Sequence, residues 1–91
     1  MKRHIWDDGK GQKLKKERGV DFEDIVILIE GGFVLAIINH PNVEKYPNQK
    51  MYVINVDGYA YCVPYLENEQ SVHLITIFPS RKYTKIYLGG Q

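Results

Sequence analysis

The apolar positions of this 91-residue chain change period partway along it. Phe22, Ile25, Val26 and Ile29 recur at i, i+3, i+4 and i+7, the spacing of one helical face. Asp21 stands where a side-chain oxygen can cap that helix, Glu23 and Asp24 follow at its positive end, and Gly31-Gly32 ends it. Ile27 and Leu28 widen the apolar face, which predicts a helix covered on both sides. A weaker helix precedes it, from a cap at Asp7 or Asp8 to about Arg18, with Gly19 as its stop. Gly9 and Gly11 lie in its first turns and Leu14 is its one large apolar residue. Trp6, just ahead of it, is expected to pin it to the core.

Beyond Gly32 the pattern becomes that of strands. Phe33 to Ile38 reads as one, Asn39-His40-Pro41-Asn42 as a turn, and Tyr46-Pro47-Asn48 as an irregular approach to the next strand. Met51–Val56 and Tyr59–Leu66 flank Asp57-Gly58, a pair that supplies the positive φ angles of a two-residue hairpin turn. Pro64 has no N–H to donate and is expected at an edge or a bulge. Val72 to Phe78 reads as a fourth strand and residues 81–88 as a short helix. The expected fold is α+β, a single domain over residues 1–91. Two N-terminal helices pack on a four-stranded, mainly antiparallel sheet, followed by the short C-terminal helix. The other sheet face is expected to be partly open. Tyr59, Tyr61, Val63 and Tyr65 share one side of their strand, read as the wetter side.

Composition narrows the class of protein. Apolar residues make up 44% of the chain, which suits a globular domain rather than disorder. The net charge is only +1. Residues 1–20 nevertheless carry seven Lys/Arg against three Asp/Glu, residues 21–70 two against eight, and residues 71–91 three against none. If the basic ends meet in space they form a cationic patch. The lone Cys62 rules out an internal disulfide and reads as a small buried residue. The three histidines have no ligand-like spacing, so no metal site and no cofactor are expected. Met1-Lys2-Arg3-His4 leads into charge, and no stretch approaches a membrane span, so a cytoplasmic protein without membrane contact is expected.

Leu74-Ile75-Thr76-Ile77-Phe78 delivers Arg81, Lys82 and Tyr83 to the end of the sheet, with Lys85 close behind. Fixed cationic donors there suit a phosphate, and hence a nucleic acid. The competing reading is solvated charge on a terminal helix.

A family resemblance is carried by both ends of the chain. Trp6-Asp7…Lys10…Gly19-Val20-Asp21-Phe22-Glu23-Asp24 resembles the opening of BrnT-family toxins: W-D-x-x-K, a short helix, then G-[VIL]-x-F-x-[DE]. Ile75-Thr76-Ile77-Phe78-Pro79-Ser80-Arg81-Lys82-Tyr83-Thr84-Lys85 resembles that family's closing I-I-S-A-R-R-A-T. The resemblance implies a ribonuclease toxin of a type II toxin–antitoxin system, with a RelE-like fold and no cofactor. The implied partners are RNA and a cognate antitoxin, a small DNA-binding protein encoded nearby. Arg81 matches the first arginine of the closing motif, Lys82 replaces the second, and Lys50 matches a cation entering the second sheet strand. Pro79-Ser80 replaces Ser-Ala, Tyr83 replaces an alanine, and Glu17-Arg18 occupies the place of a frequent histidine.

Metal-independent cleavage of RNA uses the 2′-hydroxyl as nucleophile. It needs a base, cations for the phosphorane charge, and a donor for the leaving 5′-oxygen. Arg81, whose planar fork can hold two phosphate oxygens, is the expected charge stabiliser. Lys50 and Lys82 add positive charge or, if desolvated, serve as base. Tyr83 is the expected donor to the leaving group. Lys45, Lys85 and Tyr61 are the expected RNA-binding positions around this catalytic set. His40 and His73 are further acid–base candidates, although the resemblance requires neither. The alternative is a non-catalytic module that binds RNA or a partner through a degenerate version of the same fold.

Overall fold

The computed structural model describes residues 2–89. Its elements in chain order are β1 (Arg3–Ile5), α1 (Asp8–Arg18), α2 (Phe22–Glu30), β2 (Val34–Asn39), β3 (Lys50–Val56), β4 (Tyr59–Glu67), β5 (Ser71–Leu74), β6 (Phe78–Pro79) and α3 (Arg81–Leu88). The fold is α+β, with three helices and one six-stranded mixed sheet.

The first two helices start where their acids can cap them. The Asp7 side chain accepts from the Lys10 N–H at 3.0 Å, and Gly19, at φ 76°, closes α1 by donating to the Lys15 carbonyl. In α2 the Asp21 side chain accepts from the Asp24 N–H at 2.9 Å while that of Asp24 accepts from the Asp21 N–H at 3.1 Å. A reciprocal cap of this kind stabilises a helix start by about 1 kcal/mol. Gly11 is buried, and a Cβ there would lie 3.3 Å from the Phe22 ring, so its absence lets α1 approach α2 closely. Trp6 stacks on the same ring, with centroids 6.0 Å apart, and joins the core as expected.

The sheet order is β1-β5-β4-β3-β2, with β6 also paired to β4. Two strands exceed the four expected. β1 pairs parallel to β5, Arg3 opposite Ser71, and makes the sheet mixed. The run expected as one strand over 72–78 is broken at residues 75–77 into β5 and β6. The β3–β4 hairpin forms as expected: Asp57 (φ 52°) and Gly58 (φ 86°) turn it, and the Asn55 side chain accepts from the Gly58 N–H at 2.8 Å.

Pro64 was expected at an edge or a bulge; β4 is a central strand, but the ladder beside Pro64 is interrupted, with residues 63–64 facing the three residues 75–77. The Pro64 carbonyl accepts from the Ile75 N–H at 2.9 Å, so its ring nitrogen faces the same side, where residues 75–77 have left the ladder. The missing donor therefore falls where no strand needs it.

Both faces carry a packed cluster, and the face away from α1–α2 is partly open as expected, with Leu66 40% exposed and His73 exposed on it. Leu14, Val20, Phe22 and Ile25 of the α1–α2 layer pack with Tyr52, Ile54, Val63, Tyr65, Val72, Leu74 and Ile77. Complete burial of Phe22 or Ile25 is worth roughly 1.5–3 kcal/mol each. On the opposite face Met51, Val53, Ala60 and Cys62 are wholly buried, with Tyr83 and Leu88 of α3 packed on them. The tyrosine side of β4 is divided: Val63 and Tyr65 are buried under the α1–α2 layer, whereas Tyr59 and Tyr61 are half-buried beside the buried Ala60, Cys62 and Pro64 of the other side. Tyr52 and Tyr65 stack under this layer at 4.3 Å, their ring area outweighing their hydroxyls, and burial pushes the Tyr65 phenol up to about 12. Ile27 departs in the other direction, being 66% exposed on the outer side of α2.

Candidate functional site

The chain reaches α3 through β6, and three hydrogen bonds fix where that helix sits. The Ser80 side chain caps it by accepting from the Tyr83 N–H at 3.1 Å. Thr84, fully buried, accepts from the Ala60 N–H at 2.9 Å and donates to the Ser80 carbonyl at 2.7 Å. The Thr84 hydroxyl thereby takes the place of a strand at the point on β4 where β6 ends. Thr84 was not singled out in the sequence. Its signal was a lone β-branched polar residue between aromatic and apolar positions of an amphipathic helix.

With Thr84 turned inward, Arg81, Lys82 and Lys85 are held outward and exposed. Two other lysines of the chain are neutralised: Lys2 pairs with Glu67 at 2.8 Å and Lys15 with Asp24 at 2.7 Å. Both pairs join a basic N-terminal residue to the acidic middle of the sequence, so part of the charge segregation cancels on folding. Arg81, Lys82 and Lys85 make no ion pair among the described residues. Their placement also runs against helix electrostatics. Asp8 occupies the first turn of α1, and Glu23 and Asp24 that of α2, whereas the first turn of α3 holds no acid and opens on Arg81-Lys82. Each cation at the positive end of a helix costs about 0.3–1 kcal/mol, a cost that an anion on the same spot reverses.

Tyr83 lies beside these cations. Its ring is half-buried against the Met51–Cys62 cluster, the Lys82 ammonium sits 5.4 Å from its centroid, and Tyr87 stacks on it at 6.1 Å. Desolvation by burial, with Cys62 and Tyr87 nearby, holds its phenol above the ordinary range, so the hydroxyl stays protonated at neutral pH. Among the described residues no buried side-chain oxygen or nitrogen lacks a partner, and the Tyr83 hydroxyl makes no hydrogen bond. It is therefore open to solvent as a donor. Burial pushes the Cys62 thiol up to about 11, which removes it as a nucleophile.

The remaining expected site residues do not join this group. Lys50 shares the face of Tyr52 and Ile54, the α1–α2 side, and Glu67 feels its charge there. It also pairs with Tyr65, five positions along β3 from Asn55, the partner of Ala60. That is roughly 17 Å of strand. Lys50 is thus on the opposite face and at the opposite end of the sheet from the start of α3. Tyr61 likewise lies on the α1–α2 face, half-buried, with Tyr59 edge-on at 6.2 Å. Lys45 is exposed on the β2–β3 loop, its ammonium 5.3 Å from the Tyr46 ring. That loop is tied by the His40 ring, which accepts from the Asn42 N–H at 3.1 Å and packs on Tyr46 at 4.5 Å. His40 is therefore occupied in holding the loop. His73 is exposed on β5 opposite Leu66, well along the sheet from the start of α3.

The residues brought together are Arg81, Lys82, Tyr83 and Lys85: three exposed cations and one protonated phenol on a single helix. Among the described residues no three of His, Cys, Asp and Glu gather as a metal-ligating group, and no helix is long and apolar enough to cross a membrane. No protein-family model, curated protein or solved structure matches the chain.

Proposed function

We propose that this chain is a cytoplasmic RNA-binding ribonuclease of the toxin class, acting through α3 and restrained by an antitoxin that covers it. The observation that supports this reading is the exposed, unpaired Arg81-Lys82…Lys85 set at the positive end of α3, beside a protonated Tyr83. Solvent water would take the proton of the attacking 2′-hydroxyl, Arg81 and Lys82 would neutralise the phosphorane that forms, Tyr83 would give its proton to the leaving 5′-oxygen and regain one from solvent, and Lys85 would hold a neighbouring phosphate. The toxin class and a RelE-like fold rest on the resemblance of the two chain ends to BrnT-family toxins.

A second reading, RNA or partner binding without cleavage, is favoured by one observation: Lys50 stands on the far face of the sheet from Arg81. One experiment separates the two. Purified protein is incubated with single-stranded RNA in EDTA, and the product ends are analysed. Cleavage is expected to leave a 2′,3′-cyclic phosphate and a 5′-hydroxyl, to stop when the 2′-hydroxyl is replaced by hydrogen, and to fall ~10²–10³-fold in Arg81→Ala. Binding without products would select the second reading. Full cleavage by Arg81→Ala would remove α3 from the chemistry.

A further inference from the structure

The outer sides of α2 and α3 are opposite in charge, and each exposes an isoleucine. On α2, Ile27 is 66% exposed, with Glu23 one turn before it and Glu30 one turn after. On α3, Ile86 is 58% exposed, with Lys82 one turn before it and Lys85 beside it. α2 holds no cation and α3 no acid.

A groove opens beside Ile27, between α2 and the β3–β4 turn. Its volume is about 350 Å³, the small end of natural ligand pockets and ample for an aliphatic side chain. Ile27, Leu28 and Val56 line it together with the acids Asp24 and Asp57. Lys15 neutralises Asp24, whereas Glu23, Glu30 and Asp57 make no ion pair among the described residues. The groove is therefore apolar inside a negative surround.

We propose that the chain assembles head to tail, with Ile86 of one copy seated in the α2 groove of the next and Lys82 and Lys85 set against Glu23, Glu30 and Asp57. Charge complementarity selects this occupant. Among the described exposed hydrophobics, those on an element with cations and no acid are Ile86 and Tyr87, both on α3. Every copy thus carries both halves of the contact. α2 packs on one face of the sheet and α3 on the other, so a single twofold interface cannot satisfy both halves. The contact is heterologous, and repeating it adds copies instead of closing at a dimer. It depends on the exposed outer side of α3 and not on RNA binding there.

The test is sedimentation velocity on the full chain from ~10 μM to ~1 mM at low salt. The average mass of the wild type is expected to climb past that of a dimer, and to fall back in ~0.5 M salt as the charges are screened. Glu23/Glu30→Lys makes both helices basic, and Lys82/Lys85→Glu makes both acidic. Each variant alone should associate on the order of tenfold more weakly or worse, while an equimolar mixture of the two should associate again. Lys10/Lys13→Glu, which has the same net charge as Lys82/Lys85→Glu, should behave as the wild type does. A second measurement stands even if a charge-reversed variant folds poorly. Ile27→Cys and Ile86→Cys, carried on separate copies, should be joined by a bismaleimide spanning about 10 Å, the spacing of packed helices. Neither should join to itself, and the buried Cys62 should stay unreacted. A chain that stays monomeric throughout, growth that stops at a dimer, reversed variants that fail to associate when mixed, or cross-links between like positions would each overturn the contact.

Discussion

Replacing Thr84 with valine keeps the shape of the side chain and removes only its hydroxyl. In the native fold that hydroxyl accepts from the Ala60 N–H at 2.9 Å and donates to the Ser80 carbonyl at 2.7 Å, at a site with no solvent access. Ser80 keeps a second donor, the Thr84 N–H at 3.1 Å, so its carbonyl is not orphaned. The Ala60 N–H is, because β6 has ended and no other acceptor replaces it. A buried donor left unmade costs about 1–3 kcal/mol. For a domain of this size that lowers the melting temperature by roughly 5–20 °C. Thr84→Ser supplies the contrast, since it retains both hydrogen bonds and loses one methyl worth about 0.8 kcal/mol. Urea and thermal melts followed by circular dichroism should rank the stabilities wild type, then serine, then valine. Thr84 also fixes the direction of Arg81, Lys82 and Lys85, so the valine variant should bind RNA more weakly below its melting point. A valine variant as stable as the serine one would show that packing alone seats α3, and would refute this account of the helix.

Two further outcomes follow from local geometry. Gly58→Ala forces a Cβ into a φ of 86°, which should cost about 1–2 kcal/mol and lower the urea midpoint without changing its slope. Alkaline pH should also unfold the protein. The folded state holds the Cys62 thiol up to about 11 against an ordinary 9.0, and the Tyr65 phenol up to about 12 against 10.0. Both groups are raised, so their contribution is intact below pH 9 and is lost progressively as pH climbs towards 11 and 12. Cys62→Ala should shift the onset of this loss upward by removing the thiol's share. Stability that stays level from pH 8 to 11 would contradict the burial that raises both groups.

Local signals in the sequence specified much of the fold, and the failures were non-local. The Asp7 and Asp21 caps, the Gly19 stop and the Asp57-Gly58 turn each act within a few residues, and each appears where its chemistry puts it. β1 was missed because three residues show no period and its partner, β5, lies near the other end of the chain. The break at residues 75–77 was hidden by a continuous apolar run, since Ile77 leaves the ladder yet returns to the core. Tyr65 was misjudged by weighting its hydroxyl above its ring area, whereas Tyr59 and Tyr61 on the same side stay half-buried. Period-two alternation already put Lys50 on the face of Tyr52 and Ile54. What it lacked was the knowledge that α3 packs on the other face, which only the assembled sheet supplies.

The central claim is that the cations of α3, rather than basic charge in general, hold RNA. α1 provides a matched control, because Lys10, Lys13 and Lys16 are three exposed cations on another helix. Two triple variants, Lys10/Lys13/Lys16→Ala and Arg81/Lys82/Lys85→Ala, lose the same net charge. Their affinities for one single-stranded RNA should be compared at fixed salt by fluorescence anisotropy. The α1 triple should bind within a few-fold of wild type, and the α3 triple should lose binding, with a log–log salt slope smaller by about 0.7 for each phosphate contact removed. Equal losses in the two variants, or a larger loss in the α1 triple, would contradict the assignment of the site to α3.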